Sequence, residues 1–395
     1  MRRIDLKRAS VARADTIRDI NRQIVLNYIR ERSPISRAGI SAETALQRST
    51  ISLIVHELKT QGLIEEIEGE STGGRPPILL RLRVAAPVVI GVDLRIDTTI
   101  VATGDLSGRV LEREEFTTNL NAEKTLSKLI DCVRKFLRAN DEIEGIGISL
   151  PGLVDPETGN ALFIPHFKWR DWPVADRIRA ATGLPVKVDN DANAAAMAEL
   201  WLGSPEIRKY RDFIMVLVEQ GLGTGIVFDG QLYHGEAGGA GEFGHMTIGK
   251  DAPIACAAGS HECWEAFASE SAALARYANQ THHSHHPIDF NELVDRGLAG
   301  EKNAEAALLE TARYLGLGIS NLLKGLSPEA VIVGGRIVRA WPLIAEEIKN
   351  AVAANSICRG LPSVRVIAST LGQDPNLFGA LSLVLAGKFG SVRAA

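Results

Sequence analysis

Six residues able to do chemistry fall within one glycine-punctuated stretch. It runs from Gly238 to Glu265 and reads GGAGEFGHMTIGKDAPIACAAGSHECWE. Glu242, His245 and Glu265 are the side-chain types that grip sugar hydroxyls, carboxylates accepting O–H bonds and an imidazole doing either. Cys256, Cys263, His245 and His261 are donor types that could tie this loop to a zinc ion; the alternative is a glycine-rich surface turn with incidental cysteines. The interspersed glycines let the backbone turn tightly and approach a ligand closely. A second pair, Asn190-Asp191, follows the short apolar run Val186-Lys187-Val188 and precedes an alanine-rich segment. A carboxylate placed there can accept a hydroxyl proton or simply a hydrogen bond.

These residues need a scaffold, and the flanking sequence supplies strands. Val88–Asp93 is an apolar strand ending in Asp, and Thr98–Gly104 is another, leading to a turn at Asp105–Gly108. Ile146–Leu150 runs into Pro151-Gly152 and Val154-Asp155, and Phe213–Val218 into Gly221-Leu222-Gly223-Thr224-Gly225. Ala330–Gly334 is a further buried strand, and residues 376–389 an apolar helix. Such strands, interleaved with helical segments, predict an α/β body. Trp169 and Trp172 offer either a stacking face for a sugar ring or, as Trp more often does, core packing. His282, His283, His285 and His286 lie in a polar loop and read as solvated.

The first part of the chain has a different pattern. Ile17, Ile20, Ile24, Tyr28 and Ile29 form one helix face, broken at Ser33-Pro34. A second helix spans Arg37–Ala45. A third begins near Ser49, with Ile51, Ile54, Val55 and Leu58 inward and Ser49, Thr50, Ser52, Leu53 and His56 outward, ending at Gly62. The last two helices, joined by a tight turn, make a helix-turn-helix whose outward face suits the major groove. Arg48, Ser49, Thr50, Ser52 and His56 are the candidate DNA contacts. Leu63–Ile67 and Ile78–Leu82 read as strands of a wing over Gly69–Pro77, where the prolines beside Arg75 hold a guanidinium ready for a narrow minor groove.

Together these motifs resemble the ROK family of sugar repressors and sugar kinases. GEFGH followed by Cys256, Gly259, Cys263 and Glu265 is similar to the family's central signature. Gly147-Ile148 through Asp155 resembles its G-I-x-x-P-G-x-V-D, and Asn190-Asp191 its N-D. The head resembles that of the repressors in Asn21-Arg22-Gln23-Ile24, Ile35-Ser36-Arg37, Ser49–Ser52, Gly62–Ile64 and Gly74-Arg75-Pro76; the kinases lack such a head. The resemblance implies an N-terminal winged helix-turn-helix followed by an actin-like (ribonuclease H-like), two-lobed α/β body. It implies a sugar held by Asn190, Asp191, Glu242, His245 and Glu265. It also implies zinc at His245, Cys256 and Cys263. One family cysteine is replaced by Ala258, and His261 is the candidate stand-in. Asp191 matches the kinases' general base. Their phosphate-binding D-x-G-x-T, however, has become Asp93-Leu94-Arg95-Ile96-Asp97, with bulk and negative charge where bare amides cradle phosphates. ATP is therefore not expected, and no catalytic residue is assigned.

Composition agrees with this division. The 395 residues are 45% hydrophobic and 23% charged, ordinary values for a globular protein. Residues 1–83 carry 15 Lys and Arg against 10 Asp and Glu, a net of +5, so the remainder carries −9 of the overall −4. A basic head on an acidic body suits a polyanion partner for the head alone. Four cysteines, two within the central motif, point to a reducing cytoplasm and no disulfide framework. No run is long and apolar enough to suggest a membrane span, and the charged start MRRIDLKRAS, with no apolar core after it, is not expected to act as a signal peptide.

The sequence thus predicts a winged head over residues 1–83. A first lobe covers 84–188 with 376–395, and a second covers 189–375. The expected function is a sugar-responsive regulator, binding operator DNA as a dimer or tetramer with a monosaccharide effector between the lobes. The alternatives are an ATP-dependent sugar kinase with an accessory head, and a scaffold whose body binds a protein.

Overall fold

The structure, a computed structural model, describes residues 14–70, 76–84, 86, 88–281, 288–355, 364–372 and 374–390. The head contains α1 (Ala14–Arg32), β1 (Ile35–Ser36), α2 (Arg37–Thr44), α3 (Arg48–Thr60), β2 (Ile64–Glu68) and β3 (Ile78–Leu82). α1 stops just before Pro34, which cannot continue a helix. The Ser36 hydroxyl caps α2 by accepting from Gly39 N–H. Strand β3 pairs with both β1 and β2, a three-stranded antiparallel sheet of which the sequence pattern reveals only two members.

Two five-stranded sheets with the same topology follow. β4 (Val89–Leu94), β5 (Thr98–Gly104), β6 (Val110–Thr117), α4 (Ala122–Ala139) and β7 (Gly145–Leu150) begin the first. A small antiparallel sheet of β8 (Leu153–Val154), β9 (Ala161–Ile164) and β10 (Trp169–Trp172) intervenes. Then α5 (Val174–Thr182) leads to β11 (Val186–Asn190), completing the order β11-β7-β4-β5-β6. α6 (Asp191–Leu202) and the short α7 (Pro205–Arg208) cross to the second sheet. There β12 (Phe213–Val218), β13 (Leu222–Phe228) and β14 (Gln231–Leu232) precede α8 (Trp264–Ala268), α9 (Glu270–Thr281), α10 (Phe290–Leu298) and α11 (Lys302–Leu326). β15 (Ala330–Gly334), α12 (Trp341–Ala354) and β16 (Arg365–Ala368) give the order β14-β13-β12-β15-β16. In each sheet three antiparallel strands are extended by two parallel ones. Such parallel strands need covered faces, and β4, β7, β12 and β15 are buried throughout.

The last helix, α13 (Pro375–Phe389), returns to the first sheet and lies against α6. Gly379 makes this approach possible, because a Cβ there would sit 2.3 Å from the Ala194 carbonyl of α6. Leu381, Leu385 and Phe389 of α13 also join one hydrophobic cluster with Val25, Leu26, Ile29, Ile40 and Leu58 of the head. The head's core is therefore continuous with the body's. Among the described residues no helix is long and apolar enough to cross a membrane.

Candidate functional site

A cavity of about 1060 Å³ opens between the two large sheets. Strand ends build it. β4 delivers Arg95 and Asp97, the β11–α6 junction Asn190 and Asp191, the end of β12 Glu219, and the glycine-rich segment Glu242, His245 and Glu265. All five residues expected at the sugar line this one space. Asn190 does so with most of its amide engaged: Oδ1 caps α6 by accepting from Ala192 and Asn193 N–H, and Nδ2 donates to Gly152 O at 3.0 Å. Its first service is to position Asp191.

Burial pushes the Asp191 carboxyl up to about 7, with Asp93 and Glu242 nearby adding like charge while the Ala192 amide opposes the shift. Glu219 goes further, to about 8, through burial and the proximity of Asp93, Asp191 and Glu270. Glu242 is half-exposed, raised by partial desolvation and by Glu265, with its Oε2 3.9 Å from His245 Nε2. Glu265 Oε1 accepts from Ala257 N–H (2.8 Å) and Oε2 from Leu222 N–H (3.1 Å), tying the cysteine loop to β13. Residue 221 must be glycine for this, since a Cβ would lie 2.6 Å from that Oε2. The result is a wall of acceptors for a ligand with many hydroxyl donors.

The arginines at the other end are already paired. Arg95 donates to Asp93 Oδ2 (2.7 Å) and Asp374 Oδ1 (2.6 Å), Arg113 to Asp374 Oδ2 (2.7 Å), and Arg336 to Glu270 Oε1 (3.1 Å). Arg95 and Ile96 both line the cavity, Arg95 by bridging β4 to the segment before α13. Sequence reasoning does not single out Glu219, Glu270, Arg336 or Asp374. Glu219 alone leaves a signal, an acid at the end of a fully buried strand just before a glycine loop.

The expected metal ligands assemble in part. One ring nitrogen of His245 and the Cys256 and Cys263 sulfurs lie within 4.8 Å of one another. His245 Nδ1 is buried with no hydrogen-bond partner, and the Cys256 and Cys263 sulfurs are 3.2 Å apart. An orphaned imidazole nitrogen beside two thiols fits a thiophilic cation such as zinc. His261 does not join them; its Nδ1 lies 3.2 Å from the Ala252 carbonyl. The indoles of Trp169 and Trp172 are both buried in the first lobe's core, where they pack edge to face, and stack on no ligand space.

In the head, Arg48, Ser49, Ser52, Leu53 and His56 are exposed on α3, and Thr50 is half-buried. Gln47 makes no side-chain cap, so the first-turn amides of α3 stay open. Arg75, the expected minor-groove contact, and His282, His283, His285 and His286 lie outside the described residues.

Comparison with known proteins turns on how much of the chain is shared. The ROK family profile matches residues 89–386. The chain belongs to the ROK family. A xylose repressor of Bacillus spizizenii is 30% identical over 375 residues, covering 93% of this chain and 96% of that one. A ROK family transcriptional regulator, a homologue of the Escherichia coli MLC protein, superposes with TM-score 0.79 and 26% identity, covering 95% and 97%. A ROK family glucokinase from Streptomyces griseus, in complex with glucose and AMPPNP, is 31% identical with TM-score 0.69 but covers only 75% of this chain, against 98% of its own. The actin-like ROK body is thus common to all three, while the likeness to the regulators takes in most of the head as well.

Proposed function

We propose that this protein is a sugar-responsive transcriptional regulator, acting as a repressor. It would bind operator DNA through α3 and the wing and a neutral monosaccharide in the interlobe cavity. The observation that carries this reading is coverage: the likeness to a xylose repressor extends over 93% of the chain. The cavity supports a neutral sugar over a sugar phosphate. Asp97, Asp191, Glu219, Glu242 and Glu265 line it, and its arginines are committed to carboxylates. A phosphate would have to break those pairs or lie against the carboxylates of Asp97, Glu242 and Glu265.

Asn190 would position, and Asp191, Glu242, His245 and Glu265 would contact, the sugar's hydroxyls. Zinc, held by His245, Cys256 and Cys263, would stiffen the loop that carries three of these contacts. The regulator would be cytoplasmic and dimeric or tetrameric, since two heads read a palindrome. The kinase reading draws on Asp191, a carboxyl that lines the cavity and matches the family's kinase base in sequence. It also needs a phosphate cradle where Arg95 now bridges Asp93 and Asp374.

Thermal melting against a panel of monosaccharides, sugar phosphates and Mg-ATP tests the proposal. A ligand at 100 times its Kd stabilises by roughly 2.7 kcal/mol. A shift with one free sugar, and operator binding relieved by the same sugar, is expected. Sugar-dependent ADP production would return the kinase.

A further inference from the structure

We infer that the cation site of this chain has an open fourth position directed into the interlobe cavity, and that it accepts a nitrogen or oxygen donor from a small molecule there. Structural zinc sites are closed by four protein donors, whereas three protein donors leave the ion a position for an outside ligand. This chain provides three, His245, Cys256 and Cys263, clustered within 4.8 Å. Their surroundings are those of a built site. The thiols are buried, and the amides of Ala258 and Ser260 donate to the Cys256 sulfur. The loop also closes on itself through Cys256 N–H to Ser260 O and Gly259 N–H to Cys256 O, both 2.8 Å. His245 Nδ1 is buried and lacks a partner.

Where a fourth donor would come from is decided by the neighbours. Ala258, two residues beyond Cys256, has no donor atom, and it lines the interlobe cavity together with Cys256 and His245. His261, the other nearby donor, is engaged with the Ala252 carbonyl and stands outside the cluster. Glu265 is directed elsewhere, its two oxygens accepting from Ala257 and Leu222 N–H. The unfilled side of the cup is therefore the side that meets the cavity. A molecule lying against Glu242 and His245 is within reach of it.

Cobalt(II) reports this directly, because its visible bands respond to coordination number and donor set. The purified full-length protein, stripped of metal, is titrated with cobalt chloride in the absence of any sugar, then with imidazole. One equivalent of cobalt is expected to give tetrahedral bands with thiolate charge transfer, and imidazole to shift them. Ala258→Cys is expected to bind cobalt roughly tenfold or more tightly, to gain thiolate charge-transfer intensity, and to lose the imidazole response. His261→Ala is expected to leave the wild-type bands and their imidazole shift unchanged.

Wild-type bands that ignore imidazole would overturn the inference, as would a His261→Ala spectrum that differs from wild type. So would folded wild-type protein that takes up no cobalt. The first arm needs no variant, so a misfolded Ala258→Cys protein leaves the test standing. No sugar is present, so failure here is distinct from failure of the effector reading.

Discussion

The guanidinium of Arg30, on the first helix of the head, lies over the indole of Trp201 at 4.9 Å from the ring centroid. The same guanidinium lies 4.9 Å from the ring of Phe389. Asn27 donates to the Phe389 carbonyl at 2.7 Å, and Arg208 reaches Glu31 at 2.7 Å. Trp201 is near the C-terminal end of α6, whose N-terminus is Asp191 in the cavity. Twelve residues of helix, about 18 Å at the standard rise, thus run from the candidate sugar contact to the base of the head. A change in how the cleft closes on Asp191 would be delivered as a tilt of α6 under Arg30. For this to act as a switch, the effector must bind the two tilts with different affinity.

Replacing Arg30 with Ala should therefore separate two measurements. Sugar affinity, read by calorimetry, should stay within about threefold, while the sugar-induced change in operator affinity falls from the roughly 5- to 150-fold typical of coupled sites toward unity. Stability should drop by about 1 kcal/mol as the cation–π stacking is removed. Retention of the full sugar response in a folded Arg30→Ala protein would remove this interface from the coupling route.

Glu242 offers the cleanest test of the cavity. It is half-exposed, and its neighbour of opposite character is His245 at 3.9 Å, so its removal leaves little to repair. Glu242→Ala should weaken the sugar by about 10- to 100-fold, the worth of a hydrogen bond to a charged group, and leave operator binding unchanged. Glu265→Ala should do more harm, because it also releases Ala257 and Leu222. An unaltered sugar affinity in Glu242→Ala would show that the ligand lies elsewhere in the cavity.

The half-buried acids of the cavity make a pH prediction. In the fold Asp191 titrates near 7 and Glu219 near 8, whereas in the unfolded chain both titrate in the ordinary carboxylate range. A carboxyl whose folded pKa is raised binds more protons folded than unfolded. Stability is then lost as pH rises from about 4 to about 8, and is level beyond it. Asp191→Asn removes its share of that loss while keeping an acceptor for Ala192 N–H. Relative to wild type, the ligand-free variant should gain on the order of 4 kcal/mol at pH 8 and nothing near pH 4. Chemical denaturation at the two pH values measures this. An equal effect at both would mean Asp191 is not the strained group.

Much of this is legible in the sequence alone, and the limits are instructive. Buried strands announce themselves as apolar runs, so Phe213–Val218 and Thr98–Gly104 are bounded to the residue. Local motifs mark Asp191, Glu242, His245 and Glu265, since each sits in a short segment of unusual composition. Groups whose meaning depends on distant partners leave no such mark. Asp374 matters because Arg95 and Arg113 reach it across 279 and 261 positions, and no local pattern encodes such a pairing. The two-residue β1 is too short to have a period. Trp169 and Trp172 have two readings from sequence, and burial in the first lobe's core decides between them. Fusion of the head's core with α13 is equally invisible, because an apolar residue such as Leu26 or Leu385 carries no mark of which distant surface it will meet.

The head makes a prediction that separates affinity from specificity. Arg48 is exposed at the first position of α3, beside backbone amides that Gln47 leaves uncapped, so it and they are placed for a phosphate. Such an interaction carries no sequence information but contributes to the salt dependence of binding. Ser52 and His56 lie one turn apart on the exposed face, between the buried Ile51, Ile54, Val55 and Leu58. That spacing puts them along the floor of a major groove. Arg48→Ala should weaken binding to operator and to random DNA alike and lower the salt slope by about 0.9 for each head engaged. Ser52→Ala with His56→Ala should cost roughly 1–3 kcal/mol on the operator for each base edge no longer read, with random-sequence affinity unchanged. Fluorescence anisotropy on both DNAs, across a salt series, distinguishes the two effects. If all three substitutions weakened both DNAs in proportion, α3 would be a backbone anchor and the sequence would be read by another element of the head.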